Sequence, residues 1–216
     1  MDEQHWFALK VFYNKVFDAE QILVGRGLET FIPVSLRMLK GDEFFRVKRR
    51  LAMPDSKRCD GKYKVEGPFI YERKTIVASL LFFRSTLQDA LQVKADFERS
   101  MMFSVKGDLL QAMLYMTVDR KAPAVIPDSQ MKMFRMVCDS GAEGLEFFSD
   151  ESIVNFKQGD RVRVTQEGPL QGVEGYIKRI KKDRRLLVAI EGFVAVATAF
   201  ISPKYLEKVS DNQSPA

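Results

Sequence analysis

The sequence predicts an α+β fold in two domains, an N-terminal antiparallel sheet flanked by helices and a small C-terminal β-barrel. Three observations predict it. Apolar spacing over the first 34 residues indicates a strand, a helix and a second strand. Residues 139–152 are acidic, small and twice interrupted by glycine, which is typical of a linker. Beyond them, apolar and polar residues alternate between closely spaced glycines, as in short strands joined by tight turns.

These features set the expected domain boundaries. The first domain is predicted over residues 1–138, the linker over 139–152, the second domain over 153–209 and a disordered polar tail over 210–216. A chain of 216 residues, of which 46% are hydrophobic, is long enough to bury a sizeable core.

The N-terminal domain opens with elements whose apolar spacing is clear. Residues 6–12 are aromatic and β-branched and predict a buried strand. Asn14 is expected to cap the next helix, and Gly25 or Gly27 to end it. The apolar residues of that helix recur at helical spacing: Val16, Ala19, Ile22 and Leu23. Residues 29–34 predict the second strand.

A central strand and a capped helix are predicted further along. Residues 76–83 are almost continuously apolar, which indicates a strand in the middle of the sheet. Thr86 and Asp89 form an approximate capping box at the start of a helix. We expect its apolar face to hold Leu87, Ala90, Leu91 and Phe97.

A hairpin and a last helix complete the domain. Gly107 lies between residues 101–105 and 109–118, an arrangement typical of a hairpin turn. The last helix is expected to begin at residues 127–129. One side of it is lined by Met131, Phe134, Val137 and Cys138.

Residues 36–74 form a strongly basic segment. They hold twelve Lys or Arg against six acids. With scattered aromatic residues, they are expected to form one or two hairpins or a partly mobile excursion rather than a helix. Lys and Arg neutralise phosphates largely irrespective of sequence, so this segment is a candidate for nucleic-acid contact. A solvated ribbon without a partner is the alternative. The candidate side chains are Lys48, Arg49, Arg50, Lys57 and Arg58.

Composition argues against catalysis. His5 is the only histidine, and the chain has neither a P-loop nor a G-x-G-x-x-G, so no enzyme activity, metal or cofactor is expected. Cys59 and Cys138 are too far apart in sequence to form a C-x-x-C pair. The N-terminus has no secretion-signal pattern and no apolar stretch could span a bilayer, so a cytoplasmic location without a membrane partner is expected. The net charge of +5 favours acidic partners.

A glycine-rich motif opens the second domain. Glycine and proline recur in step with alternating valines, as sharp turns between the strands of a small barrel require. The residues are Gly159, Asp160, Val162, Val164, Gly168, Pro169, Gly172 and Gly175. This spacing resembles the KOW motif of NusG-type elongation factors and of several ribosomal proteins, which implies an SH3-like β-barrel.

The N-terminal domain is similar to the NGN domain of NusG-type factors. Residues 6–9 resemble its opening strand, residues 31–34 its second strand and residues 123–128 the approach to its last helix. The chain looks most like the specialised, UpxY-like paralogs that accompany surface-polysaccharide operons. It departs from the family where Pro-Gly-Tyr is usual, because residues 78–80 read Ala-Ser-Leu.

The resemblance implies a regulator of transcription elongation or antitermination, acting on particular operons such as those for polysaccharide biosynthesis. Its N-terminal domain would bind the clamp helices of RNA polymerase, and its KOW domain would recruit Rho or a ribosomal protein. The basic segment would touch upstream or non-template DNA. By position, the candidates for polymerase binding are Phe12, Tyr13, Val77 and Leu80. Those for the partner-binding face are Phe193, Phe200 and Ile201.

Two other functions fit the same motifs. A ribosome-associated RNA-binding KOW protein would use the basic charge, although such proteins usually carry long basic tails. A housekeeping NusG with a Rho-linked role in termination would be expected to keep Pro-Gly-Tyr.

Overall fold

The computed structural model describes residues 3–52, 60–103, 110–149, 160–180 and 183–209. The chain divides into two compact units, residues 1–125 and 126–216. Within the described ranges the structure is mixed α+β, with four α-helices and three antiparallel sheets.

The first unit holds three helices and seven strands in its described part: β1 (His5–Val11), α1 (Val16–Gly25), β2 (Glu29–Phe31), β3 (Val34–Met38), α2 (Gly41–Leu51), β4 (Tyr63–Glu66), β5 (Phe69–Thr75), β6 (Leu80–Ser85), α3 (Leu87–Phe103) and β7 (Ala112–Leu114). The main sheet has the order β2-β6-β1-β7, so β1 and β6 are its central strands. Helices α1 and α3 cover the face of β1 that carries Phe7, Leu9 and Val11. The buried strand predicted over residues 6–12 is therefore confirmed.

Two of the predicted helix ends are confirmed, and the predicted N-terminal cap of α1 is not. The Asp89 N–H donates to Thr86 Oγ1 at 3.1 Å, which confirms the cap of α3. Helix α1 ends at Gly25, as predicted. Asn14 is not its cap, because Lys15 occupies that position and no side chain caps the helix. Instead Tyr13 and Asn14 both have positive φ and turn the chain between β1 and α1.

The faces of α1 and α3 were predicted only in part. Ala90 and Phe97 are buried against the sheet, together with Val93. Leu87 and Leu91 on α3 are exposed, so their assignment to its apolar face was wrong, and Ile22 on α1 is exposed although it shares the helical spacing.

The basic segment differs most from the prediction. Strands β3, β5 and β4 form a three-stranded antiparallel sheet, which agrees with the predicted hairpins. Residues 41–51, however, form helix α2, which was not predicted. The helix packs on this sheet around a small apolar cluster made of Leu39, Phe44, Val47, Leu51, Tyr63 and Ile70.

Two further segments of this unit differ from the prediction. Residues 29–34 divide between β2 and β3, which belong to different sheets. Residues 76–79 form a turn, and the central strand begins at Leu80. Residues 101–103 continue helix α3 instead of starting a hairpin, while the predicted turn at Gly107 lies outside the described residues.

The second unit combines one helix with a six-stranded antiparallel sheet: α4 (Asp128–Asp139), β8 (Glu146–Ser149), β9 (Arg161–Val164), β10 (Glu174–Ile180), β11 (Asp183–Ile190), β12 (Val194–Phe200) and β13 (Leu206–Lys208). The strand order is β13-β9-β10-β11-β12-β8. In the described part of this unit no pairing joins β13 to β8, so the sheet is open and the closed barrel that was predicted is not formed there.

The unit boundary falls before the last predicted helix rather than after it. Helix α4 packs on the sheet of the second unit, where the Phe134 ring meets the Phe147 ring edge-on at 6.4 Å. The Gln130 side chain accepts a hydrogen bond from the Glu191 N–H at 3.1 Å. Strand β8, inside the predicted linker 139–152, pairs with β12. Its Phe147 and Phe148 supply the apolar surface that the acidic composition of this segment concealed.

Candidate functional site

An open groove with a volume of about 440 Å³ lies along the edge strand β7. Strand β7 is the last strand of the main sheet and pairs only with β1 in the described part of the chain. The groove is lined by residues of β1, α3, β7 and the loop after β7: Lys10, Lys94, Glu98, Met113, Leu114, Tyr115, Met116, Thr117, Val118 and Arg120.

Two apolar side chains of the groove are exposed although they stand on a well-fixed backbone. Met113 is 59% exposed and lies opposite Lys10 in the sheet, and Val118 is fully exposed. The loop that carries Val118 is closed by a bridge between Met116 and Pro123 and by the Thr117 N–H, which donates to the Ala122 carbonyl at 2.8 Å. Because the backbone is already fixed, it needs no further ordering on binding, so these exposed apolar groups suit a docking surface.

The charge around the groove is positive on balance. Lys10, Lys94 and Arg120 line it, against the single acid Glu98. Lys94 Nζ lies 2.8 Å from the Glu98 carboxylate and neutralises it. The groove therefore fits an apolar partner segment with acidic residues at its margin.

Only part of the predicted polymerase-binding set is available for contact. Tyr13 is 68% exposed, and Phe12 and Val77 are half-buried. Leu80 is only 3% exposed and so cannot contact a partner; its assignment to a binding surface was wrong. The groove residues were missed because the segment after residue 109 was predicted as one arm of a hairpin.

Backbone hydrogen bonds bring the remaining predicted residues to one corner of the sheet. The Val11 N–H donates to the Ser79 carbonyl at 2.7 Å, and the Phe12 N–H donates to the Gln111 carbonyl at 2.9 Å. The corner at Tyr13, the turn that contains Val77 and the beginning of β7 therefore lie beside one another.

The turn before β6 keeps the backbone that glycine favours. Ser79 has φ +66°, in the left-handed region that non-glycine residues rarely adopt. This residue lies in the Ala-Ser-Leu stretch of residues 78–80, at a position where glycine would adopt the same backbone without strain.

Helix α2 presents the predicted basic residues to solvent. Lys48, Arg49 and Arg50 are exposed in its last turn, where cations also interact favourably with the helix dipole. The other two candidates, Lys57 and Arg58, lie outside the described residues.

An ion-pair network joins α2 to its sheet. Arg37 on β3 donates to the Glu43 carboxylate of α2 at 2.8 Å and to the Glu72 carboxylate of β5 at 2.6 Å. Hydrogen bonds from Arg37 lower the pKa of both Glu43 and Glu72 below the usual glutamate range. These two acids are thereby neutralised, which leaves the cations of the last turn of α2 to set the local charge.

The basic segment is also tied to the main part of the first unit. Arg73 on β5 donates to the Glu20 carboxylate of α1 at 2.6 Å and to the Gly61 carbonyl at 2.7 Å. Its guanidinium also lies 4.8 Å from the centre of the Phe17 ring. Glu20 is only 7% exposed, so this ion pair is shielded from solvent. The described part of the segment is therefore a packed extension of the first unit.

The glycine-rich motif of the second unit performs the turn roles predicted for it. Val162 and Val164 are buried, and the Gly172 N–H donates to the Val164 carbonyl at 2.8 Å from a residue with φ +79°. At Gly175 an added Cβ would lie 2.4 Å from the Leu187 carbonyl oxygen, so only glycine fits against β11. Gly168 also has positive φ, and Pro169 follows it in the same turn. Asp160 forms an ion pair with Lys208, and Gly159 lies outside the described residues.

The predicted partner-binding face is reduced to two residues. Phe200 is 60% exposed at the end of β12, and Ile201 beside it is half-buried. Phe193 is only 7% exposed, so it belongs to the core and its assignment to this face was wrong.

Comparisons with known proteins leave the family open. No protein-family model matches the chain, and no curated protein matches it. Within the described residues, no helix is both long and apolar enough to cross a membrane.

Proposed function

We propose that this chain regulates transcription elongation or antitermination in the manner of NusG-type factors. Its first unit would bind the clamp helices of RNA polymerase, and its second unit would recruit a partner. The observation that carries the proposal is the apolar groove at the edge of the main sheet, with Met113 and Val118 exposed beside a cationic margin.

The groove suits a helical partner. Apolar side chains spaced three or four residues apart on one face of a helix can enter a groove of this kind. Met113 and Val118 provide apolar contacts, and Tyr13 at the nearby corner adds an aromatic one. Lys10 and Arg120 would pair with acidic residues of the helix and fix its register.

The basic segment and the second unit supply the remaining contacts of the proposal. The cations of α2 would touch phosphates of upstream or non-template DNA close to the enzyme. Phe200 and Ile201 would form the surface that recruits a ribosomal protein or Rho. Operon-specific action, for example on polysaccharide biosynthesis, follows from the resemblance to specialised paralogs rather than from any side chain.

Retention of purified core RNA polymerase from the source organism by the immobilised full chain tests the proposal. The wild type should retain the enzyme at moderately high salt, since apolar contacts are screened less than ion pairs. Val118→Asp should reduce retention at least tenfold, because a carboxylate would be desolvated in the groove. Val118 is fully exposed, so the substitution should leave the fold unchanged.

A matched control is available on another sheet of the same unit. Val65 on β4 is 58% exposed and lies outside the groove, so Val65→Asp should retain the polymerase as the wild type does. Equal losses in both variants, or no retention by the wild type, would contradict the proposal.

One observation favours the ribosome-associated alternative. In the β10-β11 hairpin Arg179 lies opposite Arg184, and both side chains are exposed. Like charges at facing positions are unfavourable, and RNA phosphates would relieve the repulsion. Co-sedimentation with ribosomes that is lost in Arg179→Gln/Arg184→Gln, without retention of polymerase, would establish this function instead.

A further inference from the structure

Helix α2 exposes an aromatic ring that its neighbour holds in place. Phe45 is 61% exposed, although it stands in the middle of the helix. The adjacent Phe44 ring meets it edge-on, with centroids 5.4 Å apart and an interplanar angle of 83°. Phe44 itself packs on the apolar cluster beneath the helix. The Phe45 ring is therefore supported from below, and its outer surface faces solvent.

Cations flank Phe45 along the helix, and Lys48 Nζ lies 5.8 Å from the centre of the neighbouring Phe44 ring. Arg46 is its neighbour in sequence, and Lys48 and Arg49 follow three and four residues later, positions that share its side of a helix. All three are exposed, and none forms an ion pair with another described residue. Two acids precede Phe45 in the helix: Glu43 is held by Arg37, and Asp42, three residues before Phe45, is outnumbered by the three cations.

The described part of the basic segment, residues 36–74, carries a net positive charge. It contains ten Lys or Arg against five acids. Three of those acids, Glu43, Glu66 and Glu72, are paired with cations of the same segment. The surplus positive charge therefore lies on the α2 side of the segment.

From this juxtaposition we propose that Phe45 is a base-stacking site for single-stranded nucleic acid, with the phosphates held by Lys48 and Arg49 on its side of the helix and by Arg50 in the last turn. The inference rests on the proposed contact of the basic segment with nucleic acid and specifies which form is bound. A single strand offers the faces of its bases to an exposed ring, whereas a duplex keeps them stacked inside. Cations alone would bind either form without preference for unpaired bases.

A second exposed aromatic residue lacks this setting and serves as the control. Phe69 on β5 is 50% exposed, close to the value for Phe45. The charges near it are paired, because Lys64 binds Glu66 at 2.6 Å and Arg73 binds Glu20 at 2.6 Å. A surface without surplus positive charge gains little from phosphates, so Phe69 is not expected to contact nucleic acid.

Fluorescence anisotropy with the full chain tests the proposal. The probes are labelled dT12, labelled U12 and a labelled 12-base-pair DNA duplex, measured over a series of salt concentrations. Phe45→Ala should weaken binding of at least one single strand about tenfold and change duplex binding less than twofold. Phe45→Trp should restore it, and Phe69→Ala should bind as the wild type. The stronger of the two single strands identifies the polymer as DNA or RNA.

A second variant, in which two cations of α2 are removed, separates failure of the stacking site from failure of the proposed contact between the basic segment and nucleic acid. Arg49→Gln/Arg50→Gln should weaken both single strands and duplex, and should reduce the dependence of log K on log salt by about 1.4 for a single strand. If this variant weakens binding but Phe45→Ala does not, or if Phe45→Ala and Phe69→Ala lose affinity equally, the stacking site is refuted. If the charge variant binds unchanged, the basic segment makes no phosphate contact and both inferences fail.

Discussion

Gly175 is the position at which one methyl group should damage the second unit most. It pairs with Val162 of β9, and the backbone of the neighbouring strand β11 lies where a side chain at this position would stand. An alanine Cβ would lie 2.4 Å from the Leu187 carbonyl oxygen and 3.1 Å from Leu186 Cδ1. Carbon–oxygen contacts between strands are normally about 3.3–3.6 Å, so β10 and β11 would have to separate by about 1 Å.

The expected loss follows from that displacement. Overpacking of this kind costs about 1–3 kcal/mol, and weakening one hydrogen bond between the strands adds about 1 kcal/mol. We therefore expect Gly175→Ala to destabilise the sheet by about 3 kcal/mol, which is roughly a hundredfold in the opening equilibrium. Hydrogen exchange of peptides covering residues 174–190 in the full chain measures it directly.

A matched glycine tests the reasoning. Gly25, at the end of α1, has nothing within 4 Å of an added Cβ and no positive φ. Gly25→Ala should leave exchange in α1 unchanged or slower, because alanine is the better helix former. If exchange at residues 174–190 accelerates less than threefold in Gly175→Ala, the close approach of β10 and β11 at this position is wrong.

Two further predictions concern the first unit. Ser79→Gly should raise the free energy of unfolding of this unit by about 0.5–1 kcal/mol, since glycine adopts φ +66° without strain. Urea unfolding followed by fluorescence of the buried Trp6 measures this change. A lower urea midpoint in the variant would contradict the turn described at Ser79. Arg37→Gln should lower the thermal midpoint at pH 7 and have a shrinking effect as the pH falls. The pKa of Glu43 and of Glu72 is depressed in the folded chain, so their stabilisation is present above the usual glutamate range and is lost below it. A midpoint difference that is the same at pH 7 and pH 3 would refute the role given to Arg37.

Strong apolar patterns were predicted correctly from the sequence. The opening strand, the cap of α3 at Thr86 and the burial of Met131, Phe134 and Val137 on α4 all follow from periodicity and end chemistry. These signals are local, so no knowledge of the partner element was needed.

Helix α2 was not predicted because its short apolar stripe stands among many charged residues. Phe44, Val47 and Leu51 recur at helical spacing and contact the sheet, but five cations lie among them or beside them. That spacing was the signal that could have found the helix. The burial of this stripe depends on Leu39 and Ile70, which the pairing of β3 with β5 brings beside it.

The groove could not be predicted from local patterns. Met113 stands on the edge strand β7, on the side of the sheet opposite to the buried Ala112 and Leu114, and the position of β7 in the sheet comes from tertiary pairing. The burial of Leu80, which was predicted as a binding residue, is likewise set by tertiary packing rather than by its local pattern. The boundary between the two units could not be predicted either, because it depends on the packing of α4 against a sheet whose strands lie later in the chain.

Site-specific photo-crosslinking from the groove tests the central claim most directly. A photoreactive phenylalanine analogue at position 113, in the full chain incubated with RNA polymerase and ribosomes together, reports what occupies the groove. We predict a crosslink to the clamp helices of the polymerase that is abolished by Val118→Asp and retained with Val65→Asp. A crosslink to a ribosomal protein, or the same product from an analogue placed at position 65, would contradict the claim.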